Sequence, residues 1–149
     1  AKGETRMMNY ESLADGGFQT GSMMGSGGFI VLDEDQCVVR HTLTLARFYR
    51  HESCGQCSPC REGTGWMEKI LKNIEYGKGK MSDIDLLWDI QRRIEGNTIC
   101  PLGDAAAWPV AAAIRHFRDE FEWHVTNREE CLKRNYGLAN YAEPIKATA

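Results

Sequence analysis

From Val38 to Phe121 the apolar residues recur with a helical period, and on either side of that span they do not. Val38, Leu45, Phe48 and Tyr49 share one face of a first predicted helix, which runs into His51 and Glu52. Trp66, Met67, Ile70, Leu71 and Ile74 form a second stripe, ended by Gly77, where a left-handed cap fits. Ser82 and Asp83 open a third helix that carries Ile84, Leu87, Trp88 and Ile94 and closes at Gly96. In the fourth, Asp104 is placed to cap "AAAW". Pro109 lacks the N–H for an internal helical bond, so it is expected to start the long helix that buries Val110, Ile114, Phe117 and Phe121. Short connections between these segments predict a mainly α fold, an antiparallel four-helix bundle.

The flanks follow other patterns. Residues 1–28 are rich in Gly, Ser and Met, with one short helical candidate after Asn9 that stops at Gly16 and Gly17. The run "FIVL" (Phe29 to Leu32), followed by "DEDQ", predicts one buried strand and a turn. One strand cannot make a sheet. Residues 1–40 are therefore expected to be the end of a domain that begins outside this chain, with residues 41–126 as the helical domain. Residues 127–149, with Tyr136, Tyr141 and Pro144, are expected to be an extended tail available to wrap a partner.

Charge and composition narrow the function classes. A formal net charge of −3 with no dense Lys/Arg run argues against a nucleic-acid partner, which needs clustered positive charge. The longest apolar run, "AAAWPVAAAI", is roughly half of what a bilayer span requires and contains Pro109, so no membrane crossing is expected. The first residues show no charged start followed by an apolar stretch, the pattern of a secretory signal. With no sign of export, the compartment is expected to be cytosol-like, and the six cysteines reduced and open to metals. "GSMMGSGGFI" is Gly-rich but fails the dinucleotide fingerprint, because Ile30 holds the third Gly position and the predicted strand follows it.

Three of the six cysteines lie in "ESCGQCSPCREGTGW", at positions 54, 57 and 60. Thiolates at i, i+3 and i+6 in a loop can turn toward one polynuclear centre, with Gly55 giving the backbone freedom to do so. A single Zn²⁺ more often takes two separated Cys pairs, so a structural four-cysteine zinc site is the weaker alternative. A four-iron cube needs a fourth ligand. Cys100, in the loop "GNTICPLGD" with Pro101 holding it extended, is positioned to be one. The pattern is then C-x2-C-x2-C-x39-C, unlike the ferredoxin run. Cys37 and Cys131 read as spare thiols, and nothing in the chain orders a catalytic pair between a cysteine and His41, His51, His116 or His124. Ser58 and Pro59 suit a helix start, which puts Cys60 in a first turn where N–H groups and the helix dipole favour an anionic sulfur, with Arg61 adding a positive charge.

These residues, with "TICPLGDAAAWPVAAAIRHFRDEFE", resemble the C-terminal part of the flavoprotein subunit of respiratory complex I, NADH:quinone oxidoreductase, over about Met8 to Glu122. The resemblance implies one [4Fe-4S] cluster held by Cys54, Cys57, Cys60 and Cys100 in a helical bundle. "GSMMGSGGFIVLDED" resembles the exit from that family's ubiquitin-like (β-grasp) soluble-ligand-binding domain. The implied role is electron relay, from FMN reduced by NADH along an iron–sulfur chain toward quinone. FMN and NADH belong to a portion of the subunit that precedes these residues, so this chain alone should not turn over. The implied partners are that flavin-binding portion and the other iron–sulfur subunits of a membrane-peripheral complex, on the cytoplasmic side of the bacterial inner membrane or the mitochondrial matrix side. The diaphorase subunit of an NAD-linked hydrogenase or formate dehydrogenase carries a similar module.

Overall fold

The recurrence of apolar side chains every three to four residues is realised as four helices, α1 (Val38–Glu52), α2 (Ser58–Glu75), α3 (Met81–Ile94) and α4 (Leu102–Thr126). The computed structural model describes residues 30–33, 36–127 and 129–130. They fall in two units divided after Gln36. In the first unit no strand occurs among the described residues, and Ile30 and Val31 are 67% and 91% exposed. The predicted buried strand is thus absent over residues 30–32. A strand needs a paired neighbour to take its backbone bonds, and among the described residues none is assigned. The helical candidate after Asn9, the Gly-rich stretch and most of the tail lie outside the described residues.

In the second unit α1 packs on α2 and α4, and α3 packs on the same two helices. Short connections make sequential helices antiparallel, so the α1–α2 and α3–α4 loops share one end of the bundle. The start of α1, the end of α2 and the end of α4 share the other. Met67, Leu71 and Ile74 of α2, Ile84, Leu87 and Ile94 of α3, and Val110 and Phe121 of α4 are almost wholly removed from water and form one core. Burying a side chain of this size stabilises by about 1.5–3 kcal/mol, which is what holds helices too short to persist alone.

Two predicted faces are rotated from their observed positions. α1 buries Val39, Thr42, Leu43 and Ala46 in place of Leu45 and Phe48; Phe48 is 55% exposed, its ring set edge-on to Tyr49. The buried hydroxyl of Thr42 donates to Val38 O at 2.8 Å, which makes a polar residue acceptable in the core. Trp66 of α2 is likewise 55% exposed, while Met67 beside it is fully buried.

α4 does not start at Pro109. It begins at Leu102 and passes through the proline, and its one non-helical residue is Phe117 (φ −134°, ψ 31°). Trp108 beside Pro109 is exposed and Ala105 is only half-buried, so the carbonyl that loses its helical bond lies where solvent can satisfy it. Asp104 does not cap "AAAW" either; its Oδ1 accepts from Gly96 N at 2.7 Å and ties the start of α4 to the end of α3. Gly77 (φ 66°) and Gly96 (φ 72°) take the left-handed conformation expected where α2 and α3 stop. Among the described residues no helix is long and apolar enough to cross a membrane.

Candidate metal centre

Ser53 to Cys57 link α1 to α2, so Cys54 and Cys57 stand in a loop and Cys60 in the first turn of a helix. Cys57 itself is the residue at the N-cap, with Ser58 and Pro59 following as the first helical residues. Gly55 has φ 78°, a conformation that a side chain would strain, and this reverses the chain between the first two cysteines. Arg61 reaches back over the turn. Its Nη1 donates to Gly55 O at 2.8 Å and its Nη2 lies 3.4 Å from Ser58 Oγ, while Nε pairs with Glu62 at 2.9 Å. The guanidinium therefore braces the loop as well as bringing positive charge to it. Ser53 Oγ lies 3.2 Å from Cys60 Sγ.

The second loop, between α3 and α4, arrives at the same end of the bundle. Gly96 turns the chain, Thr98 Oγ1 donates to Cys100 O at 3.0 Å, and Ile99 N donates to Cys57 Sγ at 3.4 Å. That last contact joins residues 42 apart in sequence. It sets the residue next to Cys100 directly on the cysteine triplet. A Cβ on Gly103 would lie 2.9 Å from Thr98 Cβ and closer still to its Oγ1 and Cγ2, so only glycine lets α4 begin this near the loop.

Cys54, Cys57, Cys60 and Cys100 are all free thiols, exposed, half-buried, buried and exposed in that order. Among the described residues, the one trio of thiol, imidazole and carboxylate atoms within 4.8 Å of one another is formed by Cys37, Glu120 and His124. No three of the four loop sulfurs come that close. Thiolates around one tetrahedral Zn²⁺ would lie about 3.8 Å apart, given a Zn–S distance of about 2.3 Å. Four thiols spread over two braced loops and the helix turn beside them, with the Ile99 N–H directed at one sulfur, suit a polynuclear iron–sulfur group better than a single ion.

The other end of the bundle holds a cysteine that sequence reasoning left as a spare thiol. Cys37 caps α1, its sulfur accepting from Arg40 N at 3.4 Å, and is buried 3.1 Å from His124 Nε2. Glu75 Oε2 is 3.8 Å from both Cys37 Sγ and His124 Nδ1. Burial, then the charge of Glu75, raises the Cys37 thiol far above its ordinary range. Burial also lifts the Glu75 carboxyl from 4.5 to about 7, against the opposing pull of Arg40. A separation of 87 residues hides the Cys37–His124 pair from any local pattern. Cys131 lies outside the described residues.

Residues 40–124 match the family described as the NADH-ubiquinone oxidoreductase-F iron-sulfur binding region. The chain is 49% identical over 119 residues to an NADH-quinone oxidoreductase subunit of Rickettsia bellii, a stretch covering 80% of this chain and 28% of the relative. It is 48% identical over 119 residues to the mitochondrial NADH-ubiquinone oxidoreductase 51 kDa subunit of Neurospora crassa, covering 80% of this chain and 23% of that one. The chain thus spans about a quarter of the length of these relatives. Among solved structures, an NAD+-reducing [NiFe]-hydrogenase in the H2-reduced state contains a similar fold, with TM-score 0.61 and 34% identity over 64% of this chain and 16% of that one.

Proposed function

Because this chain belongs to the family of the NADH-ubiquinone oxidoreductase-F iron-sulfur binding region, we propose that it holds one [4Fe-4S] cluster on Cys54, Cys57, Cys60 and Cys100 and acts as an electron relay within an NADH:quinone oxidoreductase. The observation that carries the ligand set is the bond from Ile99 N to Cys57 Sγ at 3.4 Å, which draws the Cys100 loop onto the triplet. A four-iron cluster accepts and returns one electron with little structural change, which is the chemistry such a relay needs.

The chain's own residues set the electrostatics of that site. The Ile99 N–H, the Ser53 hydroxyl beside Cys60, the N-terminal turn of α2 and the Arg61 guanidinium all favour added negative charge on the sulfurs. The loop anchors at Gly96, Asp104 and Gly103 hold the loop that carries Cys100 beside the triplet and lessen the rearrangement that a change of charge would otherwise require.

FMN and NADH are bound by another portion of the same subunit, and this chain by itself does not oxidise NADH. Exposed Ile99 (86%) and Trp66 at the cluster end suit contact with that portion or with a neighbouring iron–sulfur subunit. The assembly is peripheral on the cytoplasmic face of the bacterial inner membrane or on the mitochondrial matrix side, in keeping with relatives from a bacterium and from a mitochondrion. The hydrogenase similarity supports a second setting, the diaphorase subunit of an NAD-linked hydrogenase. The greater identity to quinone oxidoreductase subunits, 49% against 34%, favours the first.

Anaerobic reconstitution of the 149-residue chain with iron and sulfide tests the ligand set. A brown product, EPR-active on reduction, is expected from the wild-type chain and from Cys37→Ser or Cys131→Ser, but not from Cys100→Ser. Equal iron and sulfide loss in all three variants would remove Cys100 from the set, and a colourless protein that takes up zinc without sulfide would remove the relay.

A further inference from the structure

Three helix termini meet at the end of the bundle remote from the loop cysteines, and two of them bring groups that bind metals. The start of α1 supplies Cys37 Sγ, and the last turns of α4 supply His124 Nε2, 3.1 Å from that sulfur, and the Glu120 carboxylate. The three ligand atoms all lie within 4.8 Å of one another, and Cys37 and His124 are 7% and 6% exposed. Exposed acidic groups gather on many surfaces without consequence. A sulfur, an imidazole and a carboxylate drawn from two helix ends to within 4.8 Å of one another, the first two of them buried, are a different case, because these are three donor types that one transition-metal ion takes.

We propose that Cys37, Glu120 and His124 bind a divalent cation of borderline softness, of which Zn²⁺ is the type. A thiolate, an imidazole and a carboxylate are each donors that Zn²⁺ takes, and three protein ligands are enough for a zinc site that completes its shell with water. Glu120 Oε1 accepts from Val38 N at 2.8 Å, which fixes the carboxylate and leaves its second oxygen for the ion. The backbone N–H of Arg40 is directed at the sulfur from the first turn of α1. Metal on Nε2 leaves the proton of His124 on Nδ1, and Glu75 Oε2 stands 3.8 Å from that atom, as the outer carboxylate that commonly orients a ligating histidine. Charge also balances. One thiolate and one carboxylate neutralise the divalent ion, and Arg40, whose Nη1 is buried without a hydrogen-bond partner, offsets Glu75, on whose carboxyl its charge acts. The site is separate from the cysteine loops. From Cys60 to Glu75, α2 alone spans about 22 Å at 1.5 Å per residue.

Counting zinc and iron in the same sample tests this without reliance on the iron–sulfur assignment. The 149-residue chain, reconstituted with iron and sulfide, is equilibrated with Zn²⁺, freed of loose metal on a weak chelator and analysed for both elements. About one zinc per chain is expected beyond the iron, and it should vanish in Cys37→Ser and His124→Gln while iron is unchanged. Glu75→Gln should weaken zinc binding about 10- to 100-fold, as loss of an outer carboxylate does. Co²⁺ in place of Zn²⁺ reports the sulfur directly. A thiolate-to-metal absorption should be present in a variant with the four loop cysteines changed to serine, and absent once Cys37 is also changed. Zinc content equal in wild type and Cys37→Ser, or no zinc held by the folded wild-type chain, overturns the site.

Discussion

The two ends of the bundle handle sulfur in opposite ways. At the loop end, cysteines stand in or beside turns, two of them exposed; a backbone donor, Ile99 N, faces Cys57, and Ser53 Oγ lies beside Cys60. At the other end a single buried cysteine meets an imidazole and two carboxylates, and burial with negative neighbours holds its proton on. A backbone donor at a sulfur favours the negative charge that a bound cluster brings to it, whereas surroundings rich in carboxylates leave a thiol neutral until a cation arrives. Residue type alone says little about a cysteine's chemistry. The helix terminus it occupies and the charges around it decide.

The largest effect that would break this contrast lies in the loops. Cys57→Ser should abolish most cluster retention, measured as iron and acid-labile sulfide per chain, while the far-ultraviolet dichroism of the four helices persists. A variant that also loses its helicity would make the loop end a structural element of the fold. Next in size is the core beneath the buried end. Phe121 is fully buried, so Phe121→Ala should cost about 3–5 kcal/mol in denaturant unfolding, whereas Trp66→Ala, more than half exposed near the cysteine loops, should stay within about 1 kcal/mol. Similar losses for the two would mean that stability is shared evenly between the ends.

How much of this was legible beforehand follows the range of the signal. The four helices and their ends at Gly77 and Gly96 were readable because period and caps are local. The facing of α1 was not, since Thr42 and Ala46 fill buried positions that a count of large apolar residues passes over. Pro109 misled because a missing N–H is costly only where nothing else, water included, can reach the freed carbonyl. The triplet at 54, 57 and 60 announces itself by spacing. Cys37, Glu75 and His124 meet only when α1, α2 and α4 pack, and no spacing encodes that.

A smaller effect sharpens how the loop end is built. Gly55 sits at φ 78°, and a Cβ there would meet the Arg61 side chain at an ordinary 3.7 Å, so strain and not crowding is the cost of Gly55→Ala. About 1–2 kcal/mol is expected for a left-handed non-glycine residue. It should appear as a faster loss of iron on chelator challenge, with Gly96→Ala, φ 72° at the end of α3, showing a similar cost in stability.

The smallest expected change concerns Arg61, and it bears most directly on whether donors and positive charge tune the loop end. The guanidinium is half-exposed and already paired with Glu62, so solvent and that carboxylate damp its field. What survives should still favour the more negative, reduced state, and Arg61→Gln is expected to lower the midpoint potential in an EPR-monitored titration. Arg61→Lys separates the two roles of this side chain. Lysine keeps the charge but cannot reproduce the fork that reaches Gly55 O and Ser58 Oγ, so it should leave the potential near wild type while making iron easier to remove. An unchanged potential in Arg61→Gln, with the same lability in both variants, would leave Arg61 as a brace alone and assign the tuning to the N–H groups of Ile99 and the first turn of α2.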